Sequence, residues 1–314
     1  MTASLRSSSP DHDLLAQFEV LQSRLAAPMH ARDAAEALGV SEGALTEARR
    51  ASPAAVALRG PDAASGYARL FARLAGLGAA MGLTRNAHCV IEITDAYAEP
   101  REAEGVAVLD GALGMRIDWR RWRAAYAMAE RTPHGDHRSI QFFDASGDAV
   151  HKVYCAQETD AAGFEALIAD WSDPDAPPRT FDAPSPAPAD PENGETLRTL
   201  GRGAARALLE GAAQAGLPIR LEVGSSGCLQ RFRGRVETIK TTGAWLNVLD
   251  PHVNLHMRWD RIAAARLARA EDGTERVEFR DAGGALFCVM ADAATEAGPS
   301  AAGWRTLADA LPGV

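Results

Sequence analysis

Residues 138–154 read RSIQFFDASGDAVHKVY, and residues 276–290 read RVEFRDAGGALFCVM. The two stretches match at Phe142 and Phe279, at Asp144 and Asp281, and at Gly147 and Gly284. Each is an apolar run, a turn containing Asp and Gly, and a second apolar run, which is the pattern of a β-hairpin. Moving outward, VLDGALGMRIDWRRW (108–122) matches VLDPHVNLHMRWDRI (248–262), with Leu109, Asp110 and Trp119 falling on Leu249, Asp250 and Trp259. Further upstream, Cys89 falls on Cys228. The offset stays between 137 and 140 residues over all these blocks. A near-constant offset of that size means a duplicated unit, too long for a solenoid repeat.

The halves meet in residues 172–194, SDPDAPPRTFDAPSPAPADPENG, which hold 7 of the 17 prolines. Proline lacks the N–H that a helix or central strand needs, so this stretch is expected to be an extended, semi-rigid linker. The expected organisation is therefore a first repeat with an N-terminal helical segment (1–171), the linker (172–194) and a second repeat (195–314). Leu14, Leu15, Phe18, Leu21 and Leu25 recur at helical spacing. Residues 31–49 read as two short helices broken at Gly39, with Ser41 as N-cap. Helices are also expected over 67–82, 161–171, 196–215 and 301–311, and strands from His88, Gly105 and Ile219. Hairpins turn at Asp144–Gly147 and Asp281–Gly284. Strands joined by tight turns give an α+β fold, a tandem repeat of two homologous domains, each a large antiparallel sheet flanked by helices.

The chain has 314 residues, 46% hydrophobic, with a formal net charge of −9. That sign repels phosphate backbones, so nucleic acid is not an expected partner, whereas a local basic pocket for a small anion is compatible with it. The opening residues MTASLRSSSPDHD lack the apolar core of a signal peptide, and no apolar run reaches about 18 residues, so neither export nor membrane insertion is expected. Cys89, Cys155, Cys228 and Cys288 form no C-x-x-C pair and suit reduced thiols in a cytoplasmic protein.

Four motifs invite a functional reading. The helical pair at 31–49 has the outline of a DNA-reading helix-turn-helix, but its second helix opens on Glu42, and a structural helical hairpin is the better account. Gly76-Leu-Gly78-Ala-Ala-Met-Gly82 is glycine-rich, yet it follows RLFARLA, a helical stretch, whereas a phosphate loop follows a strand. TPHGDHR carries His134 and His137, half of a zinc shell, and reads as a solvated loop. RIDWRRWR (116–123) is either the start of an amphipathic helix, with Trp119 and Trp122 on one face, or a source of pocket arginines that bind carboxylates.

The blocks RSIQFFDASGDAVHKVYC (138–155) and SSGCLQRFRGRVETIKTTGAWLNVLDPHVNLHMRWDRIAAARL (225–267) resemble signature regions of the hemin-degrading and hemin-transport family known as HemS, HmuS or ChuS. So do ARDAAEALGVSEGAL (31–45) and the duplication itself. The resemblance implies a cytoplasmic protein of two repeated halves that binds haem (hemin), as ligand or substrate, within haem-iron utilisation. The implied donor or acceptor is a haem importer or a haem oxygenase, and some members of the family open the porphyrin ring. Haem needs an apolar slot, cationic donors for two propionates and axial ligands for iron. The resemblance carries Arg116 and Arg269 over as haem contacts. The helix that holds the family's axial histidine has no matching segment, so the second repeat is shortened at its helical start. The segment after the linker, ETLRTLGRGAARALLEGAAQAG, contains no His, Tyr or Cys. His88 and His256, the repeat-equivalent of Arg116, are the substitute candidates, ahead of His151, Tyr97, Tyr126 and Tyr154. Haem binding and trafficking is the leading function. The alternative is a non-catalytic binding or scaffold protein of the same fold without haem.

Overall fold

The computed structural model describes residues 10–60, 65–103, 105–132, 135–182, 194–271, 273–293 and 301–314. Three helices lead the chain: α1 (Pro10–Ser23), α2 (Ala31–Leu38) and α3 (Glu42–Ala48). The first half continues as β1 (Ala55–Ala57), α4 (Ser65–Leu74), β2 (Ala79–Arg85), β3 (Cys89–Ala96), β4 (Arg101–Ala103), β5 (Val106–Leu109), β6 (Leu113–Asp118), β7 (Ala124–Thr132), β8 (Gly135–Phe143), β9 (Ala149–Tyr154) and α5 (Ala161–Trp171). The second half repeats that order as β10 (Glu195–Leu200), α6 (Ala204–Ala215), β11 (Ile219–Gly224), β12 (Cys228–Gly234), β13 (Ile239–Thr242), β14 (Trp245–Leu249), β15 (Val253–Arg258), β16 (Ala264–Arg269), β17 (Glu275–Arg280), β18 (Leu286–Asp292) and α7 (Ala302–Asp309).

Each half supplies its strands to two sheets. The first sheet runs β1-β7-β8-β9-β2-β3-β15-β14-β13, and the second β10-β16-β17-β18-β11-β12-β6-β5-β4. Three strands of each half thus complete the nine-stranded sheet of the other. The seams are repeat-equivalent: Cys89 lies opposite Met257 where β3 meets β15, and Cys228 lies opposite Ile117 where β12 meets β6. The turns beside the seams are stapled across. Asn86 Oδ1 accepts from the His88 and Cys89 N–H groups, while Asn86 Nδ2 donates to the carbonyls of Gly224 (3.0 Å) and Phe287 (2.8 Å). Trp122 Nε1 donates to the Gly227 carbonyl at 3.0 Å. The inner faces of both sheets and residues of α4 to α7 share one continuous apolar core.

Three expectations fail locally. The 67–82 helix ends at Leu74, and Ala79–Arg85 is a strand. Gly78, at φ 79°, turns the chain into β2, and Gly82 gives that strand the room it needs, since a Cβ there would lie 2.5 Å from the Tyr97 hydroxyl. The 196–215 helix starts only at Ala204; Glu195–Leu200 is a strand paired with β16, a setting that suits its β-branched threonines. RIDWRRWR forms no helix beyond a single 3₁₀ turn at Trp119–Arg121, capped by Asp118, and both tryptophans enter the core with ring centroids 4.9 Å apart. The helical pair at 31–49 does form, with Gly39 left-handed and Ser41 capping α3. Most of α3 is buried, which leaves no face to lie in a DNA groove.

Helices α1 to α3 cover part of the first sheet's outer face. Lys152 on β9 meets Glu42 of α3 at 2.5 Å, and both are buried. Burial disfavours both charges, but each outweighs that for its partner: Glu42 is held below the usual carboxylate range and Lys152 above the usual amine range. Tyr126 on β7 donates to Glu47 at 2.5 Å, and Arg49 reaches Glu130 at 2.8 Å. Residues 172–182 are not free-standing: Asp173 N–H donates to the Ala57 carbonyl, and Arg50 donates to the carbonyls of Pro174 and Ala176. The remaining prolines of the expected linker fall in 183–193, outside the described residues.

A polar chain crosses the core between the halves. Tyr97 Oη lies 2.8 Å from His151 Nε2, His151 Nδ1 lies 2.9 Å from Thr84 Oγ1, and Thr84 touches Cys228. Burial pushes the His151 imidazole down from 6.5 to about 3. The unfolded chain therefore binds one more proton than the folded chain between those two values. Stability is full above pH 6.5 and falls as pH drops toward 3, by up to about 1.4 kcal/mol per pH unit from this residue. Urea melts at pH 7, 5 and 4 are expected to show that part of the slope missing in His151→Gln. Lys152→Met, which strands the buried Glu42 charge, is expected to cost about 3–5 kcal/mol, largely recovered on adding Glu42→Leu; the same melts measure it.

Candidate functional site

Strand alternation sorts β11, β12 and β6 into two faces. Ile219, Leu221, Val223, Cys228, Phe232, Met115 and Ile117 point into the core. The opposite face of β11 and β12 carries Arg220, Glu222, Leu229, Arg231 and Arg233, and that of β6 carries Gly114, Arg116 and Asp118. Register places Arg116 beside Leu229 on one side and Val108 on the other, and Gly114 beside Arg231. Farther along, Val289 and Ala291 of β18 flank Glu222 and Arg220, followed by Arg276 and Glu278 of β17 and Arg266 of β16. An acidic chain thus concentrates arginine on the outer face of its second sheet, around a floor of Gly, Val, Leu and Ala.

Few carboxylates balance those arginines. Glu222 pairs with Arg231 at 2.5 Å and Arg220 at 3.2 Å. Glu278, fully buried, serves Arg266 (2.7 Å), Arg276 (2.8 Å) and Arg280 (2.9 Å). Burial raises the Glu278 pKa, but hydrogen bonds from Arg266, Arg280 and Arg276 hold it below the usual range. Arg116 is exposed, with no ion pair or hydrogen bond among the described residues. Arg233 Nε is buried without a hydrogen-bond partner among the described residues, and burial lowers that guanidinium's pKa. This face can receive carboxylates: Arg116 and Arg231 sit diagonally on adjacent strands, about 7–8 Å apart, a spacing suited to two acidic groups on one edge of a flat ligand.

The four residues singled out from sequence do not converge. His256 lies on β15, on the outer face of the first sheet, the same position in its sheet that Arg116 holds in the second. Asn247 Nδ2 donates to the Lys240 carbonyl, which leaves Asn247 Oδ1 as the acceptor for His256 Nδ1 at 2.8 Å. His88 sits in the β2–β3 turn, 3.3 Å from Asp281 and edge-on to Phe287. Its neighbouring cavity, shared with Arg202 and Arg261, is about 220 Å³, below the ~300 Å³ at which ordinary ligand sites begin. Arg269 shares the face of Leu267, opposite the arginine face, and binds Glu275 at 2.9 Å. Among the weaker candidates, His151, Tyr97 and Tyr126 are buried in the contacts described above. His137 is on β8 of the first sheet, and His134 lies outside the described residues.

Sequence reading missed Arg220, Arg231, Arg233 and Arg276. The signal was there in CLQRFR, where Leu229, Arg231 and Arg233 alternate with the core residues Cys228, Gln230 and Phe232. What joins them to Arg116 is the seam between halves. For haem, this face fits the propionates and offers an apolar floor, but none of its described residues is a His, Tyr, Cys or Met.

The fold and this face define a duplicated, strand-exchanged α+β protein with a cationic sheet surface. The family described as Haemin-degrading HemS.ChuX domain matches residues 39–171 and 190–311. The chain is 30% identical over 320 residues to the hemin transport protein HemS of Yersinia enterocolitica, covering 88% of this chain and 91% of that protein. HmuS of Yersinia pestis, also a hemin transport protein, is 30% identical over 323 residues, with the same coverage. The crystal structure of holo-PhuS, a heme-binding protein from Pseudomonas aeruginosa, superposes with a TM-score of 0.85 at 30% identity, over 97% of this chain and 99% of PhuS. ChuS of Escherichia coli O157:H7, a heme-degrading enzyme, shares the fold with a TM-score of 0.85 at 24% identity, over 96% of this chain and 99% of ChuS. The chain belongs to the HemS/ChuX haemin family.

Glu278→Gln leaves Arg266, Arg276 and Arg280 facing one another without a carboxylate, and is expected to cost about 3 kcal/mol in urea melts at pH 7. An unchanged midpoint would show that solvent already screens the cluster.

Proposed function

We propose that this chain binds haem on the outer face of its second sheet and passes it on within haem-iron utilisation, without opening the ring. One observation carries the reading. Arg116, supplied by the first half, stands without an ion pair among the described residues, on an arginine-rich face above the apolar floor of Val108, Gly114 and Leu229. The porphyrin's apolar body would lie on that floor, with propionates on Arg116 and Arg231. The relatives support the cargo, being named as hemin transport and heme-binding proteins. Ring opening needs an iron held firmly with one position left for oxygen, and this face supplies no axial ligand among its described residues. A carrier needs only an accessible site that releases its cargo. The site fits the cytoplasmic side of uptake, between a haem importer as donor and a haem oxygenase as acceptor. No described helix is long and apolar enough to cross a membrane.

Titration of the purified chain with hemin tests the reading. A saturable Soret shift at one equivalent is expected. Arg116→Ala is expected to weaken binding about tenfold, the loss of one charge-assisted hydrogen bond. Reductant and oxygen are expected to leave the Soret band standing. No saturable shift would sink the proposal and favour a scaffold role without haem; a bilin product that catalase does not suppress would replace carriage with catalysis.

A further inference from the structure

Resting on that reading, we infer that the second-sheet face recognises the two carboxylates and the flat apolar body of a tetrapyrrole, and not its metal. Metal-free porphyrin dicarboxylates are then ligands on equal terms with haem. Among the described residues, the side chains able to hold iron lie away from this face.

The described histidines lie elsewhere. His12 belongs to α1, His30 precedes α2, His88 faces Asp281, His137 is on β8, His151 is buried between the sheets, and His252 and His256 belong to the β14–β15 hairpin of the first sheet. The four tyrosines are Tyr67, Tyr97, Tyr126 and Tyr154, all in the first half. Cys228, Cys288 and Met290 do sit on strands of the second sheet, but alternation turns them into the core with Leu221 and Phe279. Helix α6, which leads the second half, reads AARALLEGAAQA and has no ligating side chain. The two stretches adjoining this half that lie outside the described residues, 183–193 (APSPAPADPEN) and 294–300 (ATEAGPS), contain no His, Tyr, Cys or Met either.

What remains on the face is chemistry blind to the metal. Guanidiniums of Arg116 and Arg231 bind carboxylates, which haem and metal-free porphyrin share. The floor of Val108, Gly114 and Leu229 makes apolar contact with a macrocycle common to both. An axial bond would separate the two ligands by orders of magnitude; carboxylate and floor contacts do not. Both faces of a bound iron stay without a protein ligand from this site, which leaves the metal open to a ligand brought by an acceptor.

The test titrates the full chain in parallel with hemin and with protoporphyrin IX, following Soret absorbance and porphyrin fluorescence. Dissociation constants within about threefold of each other are expected, together with a high-spin hemin spectrum. Arg116→Ala and Arg231→Ala are each expected to weaken both ligands by about tenfold, with Arg116→Lys largely restoring them. Circular dichroism of each variant separates lost binding from lost fold. Hemin bound about thirtyfold or more tightly than protoporphyrin, with a low-spin spectrum, would overturn metal-blind recognition and leave the haem reading intact. Protoporphyrin binding that ignores both arginines would also overturn it. Binding of neither ligand would remove the haem reading itself.

Discussion

The antiparallel seams between β6 and β12 and between β3 and β15 hold the rest of the molecule in place. At the first, five residue pairs run from Cys228 opposite Ile117 to Phe232 opposite Leu113. At the second, five more run from Val253 opposite Ile93 to Met257 opposite Cys89. Backbone groups in these strands have no other way to satisfy their hydrogen bonds once buried, so the halves cannot separate without exposing a row of unpaired N–H and C=O groups in each sheet. The apolar core is continuous across both halves, and the Tyr97–His151–Thr84 chain reaches Cys228 on the far side of a seam. The duplication therefore produces one interlocked body, not two beads.

Interlocking decides which residues meet. Arg116 is coded in the first half and works in the second sheet; His256 is coded in the second half and works in the first. The duplicated faces have since diverged. On the first, Lys152, Tyr126 and Gln141 lie under or beside the helical cover, and Glu42 and Glu47 reach down to them. At the corresponding positions the second face holds Val289, Arg266 and Glu278. Its described residues include no helices equivalent to α1–α3, and the chain passes from the proline-rich segment into β10 and α6. One copy of the unit uses its outer face to hold the helical cover, while the other carries an arginine-rich surface on which Arg116 is exposed.

Much of this was legible in the sequence for identifiable reasons. The hairpins at 138–154 and 276–290 could be read because a period of two and an Asp–Gly turn are local signals, and the repeat offset made each confirm the other. Helices α2 and α3 were readable from Gly39 and Ser41. ETLRTL reads as helix because a leucine-containing segment beside an alanine-rich helix carries no boundary other than Gly201 and Gly203. Trp119 and Trp122 share a helical spacing but are gathered by a 3₁₀ turn and a strand start. The strand exchange was beyond reach, since nothing local in β6 says whether its partner is β3 or β12. The arginine face was hidden for the same reason: Arg116 and Arg231 are 115 residues apart in the chain and become neighbours only through the seam.

A crystal structure of the full chain with hemin tests the outer face of the second sheet most directly. The predicted result is a porphyrin lying over β6, β12 and β11 on the outer face of the second sheet. Its carboxylates should lie about 3 Å from the guanidiniums of Arg116 and Arg231. A porphyrin found between α1–α3 and the first sheet, with iron on His256, or at the turn holding His88 and Asp281, would contradict it.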